Sequence, residues 1–357
     1  MNKVINKKKI LFFGELPPST INGISFSNDL VISHLRDDYI LDVVEEKSPL
    51  KYHNKRFLKV IPFFKYFVTI LGKAITKKYA FFYLVFPTST AGAFKVLSIV
   101  SYFWLFNRAK IIVHIHRGDF FDFYRKPFNK IMFNILKMMI YKIVVLSYRQ
   151  KKDMELLGGN KISVLENSIP MEKTNIEKRP PEGFMRFVYV SHYIESKGIL
   201  DLLKAFSDLS QNNPKIKLFC YGEYSDEKLK QKIEKYSSDN IIISNSIHGS
   251  AKMQRLSDAD CLILPSWNEG QPIILLEAMS VSTPIIATQV GLVDEMLGED
   301  YPFLCEPKSY DSIKDAILRF INYADKKNIG SRLHDIYWQK FNRKEHKQRT
   351  LALFNSN

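Results

Sequence analysis

The chain has 357 residues, 46% of them apolar and 25% charged; this is enough for two domains with cores of their own and too apolar for a disordered polymer. Three scattered cysteines, Cys220, Cys261 and Cys305, exclude a disulfide framework or a cysteine-based metal site and point to a reducing, cytosolic compartment. The net charge of +15 is lopsided: residues 51–150 hold 18 Lys and Arg against 2 Asp and Glu, whereas residues 181–357 hold 22 against 23, a statement about partners of the first half rather than about the fold.

In chain order, a basic N-terminus leads into residues 9–13, an apolar run that stops at Gly14, Glu15 and Pro17 and reads as a first strand rather than a signal peptide. A loop and a helix over 25–35 follow. Residues 80–86, 110–114 and 142–147 are predicted strands, and 127–139 a helix beginning on Pro127. The longest apolar stretch, 96–106, is about half the roughly 20 residues that a membrane-spanning helix needs. Residues 168–183, with Pro170, Pro180 and Pro181 among charges, have the composition of a linker. A second series then begins, with strands at 187–190, 217–221, 240–244, 261–264 and 284–287, and helices at 199–209, 225–236, 250–257, 272–280 and 312–322. Strands alternating with helices imply parallel sheets covered on both faces, here twice, with ligands outside the carboxyl ends of the strands.

The segment 260–288 carries the most chemistry. A buried strand ends at Pro265, a loop holds Glu269 and Gly270, Pro272 sits where the first turn of a helix is expected, and Glu277 follows eight residues after Glu269. A helix N-terminus presents free amides and a positive dipole end, suited to a diphosphate. A carboxylate accepts two hydroxyl bonds, and a vicinal diol offers two.

This segment, with Pro265, Ser266, Glu269, Gly270, Pro272, Glu277, Ala278, Met279, Pro284, Ile286 and Ala287 in place, resembles the retaining glycosyltransferases of family four, the glycosyl transferases of group one. Ser282 stands where that pattern has glycine. Upstream, Lys197 and Gly198 match the family's Lys-Gly pair, while Ser191 and His192 replace its Gly-Arg pair. Further matches lie at residues 144–147 and 161–167, at Tyr221 and Gly222, and at Gly291 with Asp294 and Glu295.

The resemblance implies an α/β protein with two Rossmann-like parallel-sheet domains facing each other across a cleft, the GT-B fold. An acceptor-side domain would cover residues 1–170 and a nucleotide-sugar domain 171–339, with a C-terminal helix over 340–355 packing back on the first. It implies transfer of a hexose or N-acetylhexosamine from a nucleotide diphosphate sugar, with UDP the expected donor base, to a glycan or lipid-linked saccharide of a bacterial surface polysaccharide. Catalytic roles fall to His116, Lys197 and Glu269. Donor contacts fall to Gly23, His192, Lys197, Glu269, Gly270, Gln271, Pro272, Ile273 and Glu277, with Glu277 on the ribose hydroxyls. His114 reads as a core histidine beside His116. No Asp-x-Asp pair follows a strand in either half, so neither a catalytic metal nor another cofactor is expected.

The basic, aromatic segment 61–78, preceded by four cations in 51–59, suits docking on an anionic membrane surface, and a peripheral position at the inner face of the cell membrane follows. Three other readings stay open: a nucleic-acid-binding protein, motivated by the basic half; a sugar-nucleotide epimerase or hydrolase on the same architecture; and a non-catalytic member, suggested by Ser191 and His192.

Overall fold

The computed structural model describes residues 7–47, 60–87, 89–157, 161–171, 176, 178–180, 182–298 and 300–355, with side chains in the second block from residue 64 onward. The cations of 51–59 and parts of the expected linker lie outside the described residues. The chain divides into two compact units, one made of Met1–Pro170 with Arg343–Asn357, the other of Met171–Asn342.

In the first unit, strands β1 (Lys9–Gly14), β2 (Ile40–Glu45), β3 (Phe81–Phe86), β4 (Lys110–Ile115), β5 (Lys142–Val145) and β6 (Ile162–Val164) form one parallel sheet in the order β2-β1-β3-β4-β5-β6. Successive side chains of a strand point to opposite faces, so the apolar runs divide between two cores. Leu11, Phe13, Phe82, Leu84, Ile111 and Val113 face helices α2 (Val60–Thr76), α3 (Thr90–Phe106) and α5 (Pro127–Met139), with the short α4 (Phe120–Arg125) beside them. Ile10, Phe12, Phe81, Tyr83 and Ile112 face α1 (Gly23–Leu35) and the last helix of the chain, Arg343–Phe354. Phe354 is fully buried against Tyr39, Phe81 and Tyr83, a contact worth about 2–3 kcal/mol. The short helix α6 (Tyr148–Leu156) leads from β5 to β6.

Three expectations are corrected. The helix expected at 25–35 starts at Gly23, because Asn22 and Ser25 close a reciprocal capping box, so Gly23 is the first helical residue and not a loop glycine. The closing helix begins at Arg343 rather than 340, because the turn Tyr337–Phe341 is π-helical and Asn342 is extended (ψ 156°). The second unit accordingly runs to Asn342 rather than 339.

The second unit is also one parallel sheet, built from β7 (Met185–Val190), β8 (Ile216–Gly222), β9 (Ile241–Asn245), β10 (Cys261–Leu264), β11 (Ile285–Thr288) and β12 (Leu304–Cys305). Its order, β12-β11-β10-β7-β8-β9, reverses direction at β7. The strands after β7 add on one side up to β9, and β10 then returns to its other side. The crevice at such a reversal lies between the loops leaving β7 and β10, where α/β sheets hold ligands. Helices α7 (Ile199–Asn212), α8 (Glu227–Glu234), α9 (Gly249–Ser257), α10 (Ile273–Ser280), α11 (Val293–Leu297), α12 (Tyr310–Asn322) and α13 (Lys326–Ile336) accompany these strands; α14 is the closing helix Arg343–Phe354. No described helix is long and apolar enough to cross a membrane.

Candidate functional site

The β7 and β10 loops are locked together by a glycine. Gly198 has φ +68°, and a Cβ on it would stand 1.9 Å from the carbonyl oxygen of Pro265; only a residue without a side chain permits that approach. The Trp267 amide donates to the Ser196 carbonyl (2.9 Å), and its indole N–H donates to Asp201 (2.9 Å). This lock brings Lys197 onto Glu269, with Nζ 2.6 Å from Oε1 and side chains 27% and 10% exposed. A second glycine supports Glu269 from behind: Gly291 has φ +59°, and a Cβ there would lie 1.9 Å from the Glu269 carbonyl oxygen. The Leu292 amide donates to Gly270 (3.1 Å).

Helix α10 opens directly behind this loop. Pro272 is its extended N-cap (ψ 123°) and offers no side-chain cap, so the helix starts at Ile273, one residue later than expected. The ring fixes φ and presents the first-turn amides without a side-chain acceptor. Gln271 and Pro272 are buried. Glu277, one turn inside, is held by Lys252 of α9 at 2.5 Å. Burial pushes the Glu277 carboxyl above its usual range, opposed by the charges of Lys252 and His248.

His192 is exposed, and its carbonyl accepts from the hydroxyl of the buried Tyr189 (3.2 Å). Burial holds that phenol far above its ordinary value, so it stays a donor beside Ser191 and Glu269. Gly222, next to the same loop, leaves a Cβ only 2.2 Å from the Ser191 carbonyl.

Of the residues expected at the site, His192 and Lys197 follow β7, Glu269, Gly270, Gln271 and Pro272 follow β10, and Ile273 and Glu277 lie in α10; the contact among them is the Lys197–Glu269 pair. Gly23 and His116 belong to the first unit. Sequence reasoning missed Tyr189 and Lys252. An aromatic strand residue and a lone lysine in a polar helix carry no signal of their own, and Lys252 and Glu277 meet only when α9 packs on α10.

His116 follows β4 and is buried, as is His114. Their ring centres lie 3.8 Å apart with the planes tilted by 42°, and His114 Nδ1 bonds the Tyr83 hydroxyl at 2.6 Å. His34 and His346 form a neighbouring pair at 5.2 Å. Burial lowers all four: His34 to about 4, His116 and His346 to about 3, and His114 well below its usual value. His116 is thus a neutral imidazole whose Nε2 has no hydrogen-bond partner; the burial expected of His114 extends to it. No cluster of three or more His, Cys, Asp or Glu with metal-binding geometry occurs among the described residues.

Residues 171–330 match the family described as glycosyl transferases group 1. TuaC of Bacillus subtilis (strain 168), a glycosyltransferase assigned to teichuronic acid biosynthesis, is 29% identical over 188 residues, covering 50% of this chain and 46% of that protein. The chain spans about half the length of the curated relatives it matches. Among solved structures, sucrose-phosphate synthase from Thermosynechococcus elongatus superposes with a TM-score of 0.73 at 14% identity, over 98% of both chains. HepE of Anabaena in complex with UDP-glucose gives 0.71 at 15% identity, over 97% of this chain and 98% of that one. The likeness shows the fold, two Rossmann-like units of the GT-B class.

Proposed function

We propose, from the premise that residues 171–330 are a group 1 glycosyl transferase domain, that this chain is a retaining glycosyltransferase. It moves a hexose or N-acetylhexosamine from a UDP-sugar to a glycan or lipid-linked saccharide of a bacterial surface polysaccharide. One observation carries the reading: at the β7/β10 reversal, Lys197 and Glu269 form a 2.6 Å pair beside the opening of α10, with Glu277 one turn inside it. The UDP-glucose complex of HepE supports the choice of donor.

The chemistry follows from charge. As the bond between sugar and diphosphate breaks, negative charge gathers on the leaving phosphate, and fixed positive groups there lower the barrier. Lys197 and the first amides of α10 supply them. Glu269 orients the Lys197 ammonium with Oε1 and keeps its other oxygen for a donor-sugar hydroxyl. Glu277 accepts the ribose diol, sharing its charge with Lys252. The leaving phosphate itself takes the acceptor proton, and the reaction runs without a metal.

The test is a thermal-shift screen with UDP, GDP, ADP and their sugar conjugates, followed by transfer assays with and without chelator. Stabilisation by UDP and its sugars, with transfer that persists in chelator, is expected. Lys197→Ala should cost about 100- to 1,000-fold in kcat. A screen in which no nucleotide stabilises the protein, or wild-type turnover in Lys197→Ala, refutes the assignment.

A further inference from the structure

From the outer surface of the first unit we infer that α2, α3 and α5 together form a docking face for an anionic lipid bilayer. All three helices lie on the same side of the sheet, each with one apolar stripe in the core. A second stripe faces away from it. On α2 this outer row is Phe64, Val68 and Ile75; on α5 it is Phe128, Ile131, Ile135 and Met138, the last 84% exposed. The end of α3, between them, exposes Trp104, Leu105 and Phe106. The helices are neighbours, α2 against α3 and α3 against α5, and the Phe67 and Tyr102 rings meet edge-on at 4.9 Å across the first seam. A helix with core on one side and large apolar residues on the other is not dressed for water, and patches of this kind mark contact surfaces.

Charge selects the occupant. Residues 47–118 contain not one Asp or Glu, and α5 contains none either. Lys65, Lys78, Arg108 and Lys126 border the apolar rows and form no ion pair among the described residues. A second copy of this face would set those cations against each other. Nucleic acid would match the charge but has no use for the aliphatic Leu105, Ile131, Ile135 and Met138. A bilayer of anionic headgroups over hydrocarbon satisfies both features at once. The segment 61–78, singled out by sequence, supplies one row of three.

Vesicle sedimentation of the full chain without nucleotide separates this inference from the donor chemistry. Binding to phosphatidylcholine vesicles containing phosphatidylglycerol is expected, at least about tenfold above phosphatidylcholine alone, and weakening as salt is raised. Combined Trp104→Ser, Leu105→Ser and Met138→Ser should lower the bound fraction about tenfold with an unchanged melting temperature. Quenching of tryptophan emission by brominated lipid in the unaltered chain, lost in Trp104→Phe, gives the same answer with a single conservative change. Equal binding to both vesicle types, no loss in the triple variant, or no quenching overturns the inference. So does a stable dimer dissolved by the same three substitutions, or duplex DNA that displaces the vesicles.

Discussion

Gly198→Ala tests whether the candidate site depends on the lock between its two loops. At φ +68° an alanine costs about 1–2 kcal/mol in backbone strain. Its Cβ would also stand 1.9 Å from the Pro265 carbonyl oxygen, where 3.0 Å is the closest ordinary approach, so one loop must retreat by about 1 Å. Lys197 is the adjacent residue and Glu269 lies four beyond Pro265, so the retreat opens their 2.6 Å pair. A 1 Å displacement of reacting groups costs on the order of 100-fold, and kcat/KM for the UDP-sugar should fall by about that factor. Gly183→Ala is the control. It has a similar φ, +78°, but open space around its Cβ, so it shares the strain without the collision and should keep its activity. The assay is steady-state transfer with calorimetric UDP binding on both variants. Equal activity of Gly198→Ala and Gly183→Ala would refute the lock.

Lys252→Ala strands Glu277 without its cation; breaking such a largely buried pair costs about 3 kcal/mol, most of it recovered in Lys252→Ala/Glu277→Gln, as denaturant melts of the three proteins should show. His34, His116 and His346 are held at about 4, 3 and 3, below the roughly 6.5 of an unfolded chain. Their contribution is therefore complete above pH 6.5 and lost as pH falls toward 3–4, at up to about 1.4 kcal/mol per histidine per pH unit. Hydrogen exchange resolved by peptide should show the first unit loosening by pH 5 while the second persists, and equal acid sensitivity of both would contradict this. Ser282 has φ +60°, the left-handed region that explains the glycine usual at this position of the motif; Ser282→Gly should gain about 1 kcal/mol and raise Tm by a few degrees.

Elements with strong local signals were legible in the sequence. The helix Pro127–Met139 and the strand Cys261–Leu264 have the boundaries predicted for them, the first set by Pro127 at its start and the second by an apolar run between Asp260 and Pro265. β2 was missed because it is an edge strand whose Ile40 and Val43 are exposed, which blurs the inward pattern. α3 was missed because it is apolar on all sides, Trp104 and Leu105 outward and Phe103 inward, so no period stands out. Within the candidate site the loop residues could be singled out individually. What could not be read was why glycine follows Lys197, since that depends on Pro265, 67 residues away, arriving within a few ångströms. The Lys252–Glu277 pair needed two helices packed side by side. The outer rows of α2 and α5 look in sequence like ordinary core stripes, and only the sheet on one side, with exposure on the other among the described residues, separates the two.

The closing helix has a consequence for how the molecule is made. Leu353 and Phe354 complete the core over Phe81 and Tyr83, yet the ribosome delivers them after the whole of the second unit. The unit translated first is thus finished last, and until then the part of one sheet face that α1 does not cover, around Phe81 and Tyr83, stands open. A nascent chain paused anywhere between residues 171 and 342 would carry that open apolar surface while the second unit is still being completed.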